Sequence, residues 1–245
     1  MFGLLKYFNQ NNVLLQILSY AKNLSGKGLL DCIDFDLSSY RDELIFWGQI
    51  SHYGEPDLII RFRKPGKRDL ILCLEVKYYH YKSGGEGEND QLKRYFEGMT
   101  EFASLSESTF LGVIYLTKYP SRSELNESLK YIKKKGIIDA DDKLFQLRWF
   151  EITEAIDKFD ISSLSAGERL ILKDLFEYLN YKNLVSFSKF SFQSLPFSLK
   201  PDHFYASTNF REFTFQKIDF EDFLKDNILT EAPNERQNEK PGKGV

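Results

Sequence analysis

Three polar side chains at the ends of two apolar segments have the types and spacing for metal-assisted chemistry. Asp57 opens the apolar run 57–63, and Glu75 and Lys77 lie near the end of the run 69–79. Side chains alternate along a strand, so Glu75 and Lys77 would project from the same face. Carboxylates bind divalent cations, and a nearby ammonium group can offset charge that develops on a phosphoryl group.

A turn midway between the two carboxylates would bring them together. Asp57 lies nine residues before Gly66, and Glu75 lies nine residues after it. If the chain turns about Gly66, the two acids are directly opposite on antiparallel strands, with Cβ atoms about 4.5–5.5 Å apart. Like charges this close destabilise a sheet unless a cation lies between them. Mg²⁺ suits this position because it accepts one or two carboxylates and completes its octahedron with water and phosphate oxygens.

A Pro-Asp pair and a Glu-x-Lys triplet are each common in protein sequences. The simpler interpretation of either one is that a strand ends in polar residues at a sheet edge. The combination is more specific, because Asp57 opens one strand, Glu75 and Lys77 close the next, and a turn lies at their midpoint. Lys77 would then orient or activate a water and neutralise charge on the phosphoryl group.

Apolar periodicity predicts the elements that must position this site. In chain order they are an amphipathic helix over 4–22, strands over 42–50, 57–63 and 69–79, a glycine-rich loop over 80–89, a helix from Asp90, a buried strand over 109–117, a polar helix over 124–135, a strand over 144–152 and an amphipathic helix over 165–183. The phenylalanine-rich stretch 184–225 has no clear periodicity.

These residues and this order of elements resemble the PD-(D/E)xK nuclease superfamily. The family motif is matched by Pro56-Asp57 and by Glu75-Val76-Lys77. The following helix carries Gln91 and Tyr95, similar to the QxxxY motif of the branch that includes bacterial recombination exonucleases and CRISPR-associated nucleases.

The resemblance implies an α/β fold with a restriction-endonuclease-like core, a mixed sheet flanked by helices in the order α-β-β-β-α-β. The matching elements extend over residues 4–117. We therefore expect a nuclease-like core over 1–155, a C-terminal helical and aromatic-rich accessory region over 156–228, and a disordered tail over 229–245.

The resemblance also implies the roles of the site residues. Asp57, Glu75, Lys77 and Gln91 would be catalytic, and Asp57, Glu75 and the Val76 carbonyl would bind Mg²⁺, with Mn²⁺ as a substitute. Two residues four apart share a helix face, so Gln91 and Tyr95 could reach the phosphate or the water shell of the metal. The alternatives are a solvated residue at Gln91 and a core aromatic at Tyr95.

The sequence departs from the family pattern at its start. Many members have a glutamate on the first helix, but residues 1–30 contain no Asp or Glu. Glu43 is the best substitute as an additional metal ligand, because a strand beside Asp57 could present it to the same pocket; the simpler alternative is a solvent-facing strand end. Two distant cysteines, Cys32 and Cys73, are too few for an iron–sulfur cluster.

Local basic residues would have to attract a nucleic acid, because the net charge of the whole chain is -3. The candidates for phosphate contacts are Arg61, Arg63 and Lys64 at the hairpin tip, Lys82 in the glycine-rich loop, and Lys93 and Arg94 on the helix. An equally simple interpretation is a solvated hairpin and helix face.

The expected function is a metal-dependent nuclease that hydrolyses nucleic-acid phosphodiester bonds, with DNA favoured over RNA, in microbial restriction, repair or anti-phage defence. One alternative is a catalytically inactive domain of the same family that binds nucleic acid or scaffolds a defence or repair complex. Another is a sugar- or protein-binding α/β module. The sequence shows neither an export signal nor about 18 consecutive apolar residues, so we expect a cytoplasmic protein without membrane contact. The sequence does not indicate whether the protein binds companion proteins or forms homo-oligomers.

Overall fold

Six strands form one mixed sheet in the computed structural model, which describes residues 1–9, 11–78 and 87–184. The strands are β1 (Lys22–Asn23), β2 (Arg41–Phe46), β3 (Leu58–Arg63), β4 (Leu70–Val76), β5 (Thr109–Thr117) and β6 (Leu144–Arg148), in the spatial order β1-β6-β5-β4-β3-β2. The pairs β2–β3, β3–β4 and β1–β6 are antiparallel, whereas β4–β5 and β5–β6 are parallel. The predicted α/β class with a mixed sheet is therefore confirmed.

Helices cover both faces of this sheet. They are α1 (Phe2–Leu5), α2 (Asn12–Leu18), α3 (Gln91–Leu105), α4 (Arg122–Lys134), α5 (Trp149–Asp157) and α6 (Ala166–Tyr181). One core contains residues of α1, α2, α5 and α6 together with Leu58, Ile60 and Phe62 of β3. The other contains residues of α3 and α4 together with Ile59 of the same strand. Alternation along each strand thus supplies apolar side chains to two separate cores.

The central strand β5 is buried on both faces, as its continuous apolar sequence predicts. It occupies the predicted range 109–117 without change. The helix predicted from Asp90 is also present, and the Asp90 side chain caps it by accepting a hydrogen bond from the Lys93 N–H at 2.9 Å.

The first predicted helix, over 4–22, is wrong in its continuity, because the structure contains two short helices, α1 and α2, in its place. Asn11 lies between them and donates from its side-chain amide to the carbonyls of Leu37 and Tyr40, at 2.9 and 3.0 Å. These bonds hold Asn11, at the break between the two helices, against the segment that leads into β2.

The strand predicted over 144–152 is too long, because the chain changes from β6 to α5 at Trp149. Glu151 accepts hydrogen bonds from the backbone N–H of Arg148 at 2.8 Å and from the guanidinium of the same residue at 2.6 Å. These bonds satisfy polar groups at the helix start, so the apolar run continues as a helix rather than as a strand.

Helix α6 confirms most of the helix predicted over 165–183, and Ser165 and Glu168 form a capping box at its start. Leu172, Leu175 and Leu179 of this helix belong to the same core as α2 and α5. The described residues all belong to one compact unit, Met1–Lys189. The predicted accessory region beyond 184 and the predicted tail over 229–245 lie outside the described residues.

Gly112 lies at an irregularity in the pairing of β4 with β5, where its φ of 144° is unfavourable for residues with a side chain. A Cβ atom here would overlap the Lys143 carbonyl oxygen and approach Phe145 Cε2 to 2.9 Å. We predict that Gly112→Ala lowers the free energy of unfolding by about 3 kcal/mol or more. Urea denaturation measures this change.

Gly167 provides the matched control, because a Cβ atom added at this position of α6 meets nothing within 4 Å. Gly167→Ala should raise the free energy of unfolding by up to about 1 kcal/mol, since alanine favours the helix. Equal effects of the two substitutions would contradict the proposed strain at Gly112.

Candidate active site

Asp57 and Glu75 lie opposite each other across the β3–β4 hairpin. The last paired residues at this end are Leu58 and Leu74, so the next position of the same register places Asp57 opposite Glu75. Gly66 has a φ of 73° in the connecting turn, a conformation that glycine adopts without strain. The predicted hairpin about Gly66 is therefore confirmed in its register.

Each of the two acids has a specific partner. Asp57 Oδ2 accepts a hydrogen bond from the backbone N–H of Val76 at 2.8 Å. Glu75 is only 2% exposed, and its Oε1 lies 2.7 Å from the Lys77 ammonium nitrogen. The structure thus brings Asp57, Glu75 and Lys77 together at one end of the sheet, as the sequence predicts.

The backbone of Lys77 is held by the neighbouring elements. Its N–H donates to the carbonyl of Leu116 on β5 at 2.7 Å, and its carbonyl accepts from the indole N–H of Trp149 at 3.2 Å. Trp149 begins α5 directly after β6. The ends of three parallel strands therefore fix the position from which the lysine side chain reaches Glu75.

Burial raises the pKa of Glu75 to about 7, and the charge of Asp57 adds to this increase while the hydrogen bond from Lys77 opposes it. Removal from water penalises the charged form of any carboxyl group, and a second carboxylate nearby increases that penalty. Near neutral pH the pair therefore carries less than two full negative charges in the absence of a cation.

Helix α3 adds a chain of hydrogen bonds beside the carboxylates. The side-chain amide of Gln91 donates to the Tyr95 hydroxyl at 3.0 Å, and that hydroxyl donates to the carbonyl of Glu55 at 3.0 Å. Burial raises the pKa of Tyr95 to about 12, and the charge of Glu75 contributes to the increase. Tyr95 is buried in the core, so it serves both as a core aromatic and as a link between α3 and the segment before Asp57.

The donor atoms at this end of the sheet fit a hard cation. Asp57 and Glu75 provide carboxylate oxygens on adjacent strands, and such oxygens are the ligands that Mg²⁺ prefers. Within 1–9, 11–78 and 87–184, no group of three or more His, Cys, Asp or Glu side chains is arranged to hold a metal. From the described residues a cation here would take the two carboxylates, with backbone, water or substrate oxygens able to complete its coordination.

The suggested metal ligand Glu43 lies away from this pair, which corrects that prediction. It pairs with Arg61 in the β2–β3 register, several positions from Asp57. Its carboxylate lies 3.8 Å from a guanidinium nitrogen of Arg63. Antiparallel pairing sends the start of β2 toward the hairpin tip, so Glu43 cannot reach the same pocket.

The basic residues of the hairpin tip have polar partners at the end of the sheet remote from Asp57. Arg61 Nε lies 2.8 Å from Asp69 Oδ2, and Arg63 Nε lies 3.7 Å from the same oxygen. Lys64 donates to the Ser39 hydroxyl at 3.0 Å. These three residues lie at the tip, away from the carboxylates, and their contact with phosphate stays a prediction.

The two basic residues on α3 differ in their surroundings. Lys93 is 2% exposed and lies 3.1 Å from Glu97, so the prediction of a phosphate contact by Lys93 is wrong. Arg94 is half-buried, and its Nε atom is buried without a hydrogen-bond partner. One of its terminal nitrogens is within 3.9 Å of a Cβ position at Gly54, in the segment that leads to Asp57. Lys82 lies outside the described residues.

A groove of about 1490 Å³ also opens at the remote end of the hairpin. Its lining includes Lys6, Tyr7, Asn9, Tyr40, Arg63 and Lys64. The chemistry-bearing carboxylates Asp57 and Glu75 are not among the lining residues. The groove and the opposed carboxylates therefore lie at different ends of the sheet. The candidate active site is the end with the carboxylates, because these groups can bind a cation.

Two tryptophans belong to the carboxylate end although the sequence alone does not indicate it. Trp149 fixes the Lys77 carbonyl, and Trp47 follows β2 with its N–H donating to the carbonyl of Asp57 at 3.3 Å. Trp47 lies inside the strand predicted over 42–50, and the predicted meander register would have placed it opposite Asp57. No local sequence pattern indicates the role of Trp149, because its contact with Lys77 depends on the parallel pairing of β4, β5 and β6.

Comparisons with protein-family models, with curated proteins and with solved structures find no match to this chain. In the part of the chain that the structure describes, no helix has both the length and the apolar character required to cross a bilayer. The geometry of the site is therefore the basis on which its chemistry is proposed.

Ionisation of Glu75 should destabilise the metal-free protein, because its pKa rises from 4.5 to about 7 on folding. Its stabilising contribution is complete below pH 4.5 and is lost as the pH rises through about 7. We predict that the stability of Glu75→Gln relative to wild type increases by on the order of 1–3 kcal/mol between pH 4.5 and 8. Urea denaturation in EDTA across this pH range measures the difference.

Glu107→Gln is the control for this pH series, because Glu107 is exposed at the end of α3. The change with pH for Glu75→Gln should exceed the change for this removal of an exposed carboxylate. Parallel stability curves for Glu75→Gln and wild type would show that Glu75 ionises normally in the folded protein.

Proposed function

We propose that the protein is a metal-dependent nuclease that hydrolyses phosphodiester bonds, with DNA as the expected substrate. The observation that carries this proposal is the register that places Asp57 opposite Glu75, with the Lys77 ammonium 2.7 Å from Glu75. Two opposed carboxylates and a cationic side chain can hold a divalent cation and a phosphate at the same point. The match to the PD-(D/E)xK pattern supports the same assignment.

Asp57, Glu75 and the carbonyl of Val76 would hold Mg²⁺ or Mn²⁺ in this function. A bound divalent cation lowers the pKa of water and polarises the phosphoryl oxygen. Asp57 is oriented for its role by the Val76 N–H, which fixes one carboxylate oxygen at 2.8 Å. Glu75 would hold the cation in its deprotonated form, which a nearby positive charge would favour by offsetting its burial and the charge of Asp57.

Lys77 would position the attacking water and stabilise the negative charge that develops on the phosphate. Its ammonium group is bonded to Glu75, and its backbone is fixed by Leu116 and Trp149. Such preorganised charge is effective in a site that excludes water. Gln91 and Tyr95 would fix the segment before Asp57 and orient the phosphate or its waters from α3.

Restriction, repair or anti-phage defence is the biological setting that we propose for this activity, in a microbial cytoplasm. The product would carry a 5′-phosphate, as the family resemblance implies. Nucleic acid is the proposed partner, and companion defence proteins would supply the biological target.

Substitution of Asp57 or Lys77 by alanine should lower Mg²⁺-dependent cleavage at least about 100-fold. The substrates are linear, circular and single-stranded DNA and RNA, and single-turnover cleavage is the measurement. For Lys77→Ala, substrate affinity measured in Ca²⁺ should change less than about threefold, because both carboxylates remain.

Glu43→Gln is the matched control, because this acid lies on the neighbouring strand β2 but away from the site, and the cleavage rate of the variant should equal that of wild type. Cleavage that survives Asp57→Ala would place catalysis elsewhere. If the folded wild-type protein binds DNA and cleaves none of the substrates, the proposed enzyme is instead an inactive binding domain.

A further inference from the structure

An exposed tryptophan stands directly beside the proposed catalytic pair. Trp47 is 69% exposed, which is unusual for the largest apolar side chain. Phe46 is paired with Leu58, so the next position of that register places Trp47 opposite Asp57. Trp47, Asp57 and Glu75 thus occupy one row across β2, β3 and β4.

The backbone around Trp47 is held in an unfavourable conformation. Trp47 has a φ of 51°, in the left-handed region that bulky residues rarely adopt. Its N–H donates to the Asp57 carbonyl at 3.3 Å, and the next residue, Gly48, approaches Ile59 so closely that a Cβ atom would lie 2.9 Å from Ile59 Cδ1. The indole is therefore presented to solvent from a fixed position, and strain of this kind is concentrated at functional sites.

A second exposed ring lies beyond the other side of the pair. Tyr119 follows β5 and is 64% exposed. The Thr117 hydroxyl donates to the Tyr119 carbonyl at 2.7 Å, which fixes the backbone just after the strand. The Lys118 ammonium lies 5.0 Å from the centre of the Tyr78 ring and 5.9 Å from the centre of the Tyr119 ring. A positive charge therefore lies close to both rings.

The two exposed rings follow strands on opposite sides of the carboxylates, at the same end of the sheet. Trp47 follows β2 and Tyr119 follows β5, while Asp57 and Glu75 lie on the intervening β3 and β4. Strands β2 and β5 are three strand spacings apart, which corresponds to about 14 Å, and Tyr119 lies four residues beyond Tyr115, the partner of Glu75 on β5. An aromatic ring on each side of a phosphate-binding centre matches the recognition of a single strand, in which bases stack on side chains and the backbone contacts cations.

We propose that Trp47 and Tyr119 stack on unpaired nucleobases on either side of the scissile phosphate, so that the substrate is single-stranded or locally unpaired nucleic acid. This inference rests on the proposed nuclease function and assigns its substrate class. Bases in a duplex are stacked on each other and present only their edges, so a fixed exposed ring cannot contact their faces. Trp47 binds substrate in this scheme, because its ring contacts a base and not the reacting atoms.

The test is equilibrium binding by the full chain carrying Glu75→Gln, which removes the proposed metal ligand and prevents cleavage. The probes are a fluorescein-labelled single-stranded thymidine oligonucleotide and a duplex of the same length. Adding Trp47→Ala should weaken single-strand binding by about 5–100-fold, the range expected for the loss of one base–aromatic stack, and should change duplex binding by less than twofold. Trp47→Phe should restore most of the affinity, because phenylalanine keeps a ring.

Phe102→Ala is the matched control, because Phe102 is 43% exposed on the part of α3 remote from Gln91. It should leave both affinities unchanged. Single-stranded DNA should also quench tryptophan fluorescence in the parent protein and not in the Trp47→Phe variant, since the remaining Trp149 is only 8% exposed. Thermal denaturation verifies folding, and Trp47→Gly, which tolerates the positive φ, replaces Trp47→Ala if the latter does not fold.

An unchanged single-strand affinity in Trp47→Ala, or an equal loss for single strand and duplex, would overturn the inference. Failure of the nuclease proposal has a different signature, since it appears as absent cleavage by the wild-type protein with Mg²⁺. The binding experiment does not depend on cleavage, so the two failures are distinguishable.

Discussion

The opposition of two carboxylates across one hairpin is the constraint to which the surrounding structure responds. Asp57 and Glu75 occupy facing positions, and Glu75 is almost completely buried. In a medium of low dielectric constant, two full negative charges at this separation are unfavourable. The protein reduces the cost with the Val76 N–H on Asp57 and the Lys77 ammonium on Glu75, and the raised pKa of Glu75 shows that the compensation is incomplete.

The incomplete compensation links stability to function. Apolar residues at both positions would pack without an electrostatic cost, but they could not hold a cation. A divalent ion would supply the missing positive charge, so the same feature that weakens the metal-free protein would give the site its affinity for metal. Stability and activity are therefore expected to compete at Glu75, as is common for functional sites.

The parts of this structure that depend on local sequence could be predicted, whereas those that depend on distant contacts could not. The hairpin register followed from equal spacing about Gly66, and β5 followed from one apolar run. The break between α1 and α2 depends on hydrogen bonds from Asn11 to residues about 26 positions away. The pairing of Arg61 with Asp69 could have been deduced from the predicted register itself, because both lie near the hairpin tip on facing strands.

The short strand β1 has a consequence for the order in which the chain acquires its structure. Lys22 and Asn23 pair with Gln146 and Phe145, so this edge of the sheet closes only when residues more than 120 positions downstream are available. During synthesis, the β2–β3–β4 meander has all its partners long before β6 leaves the ribosome, and domains form as their segments emerge. The β3–β4 hairpin would thus assemble first with Glu75 still in contact with water, and the raised pKa of Glu75 would develop late, when α3 and β5 cover it.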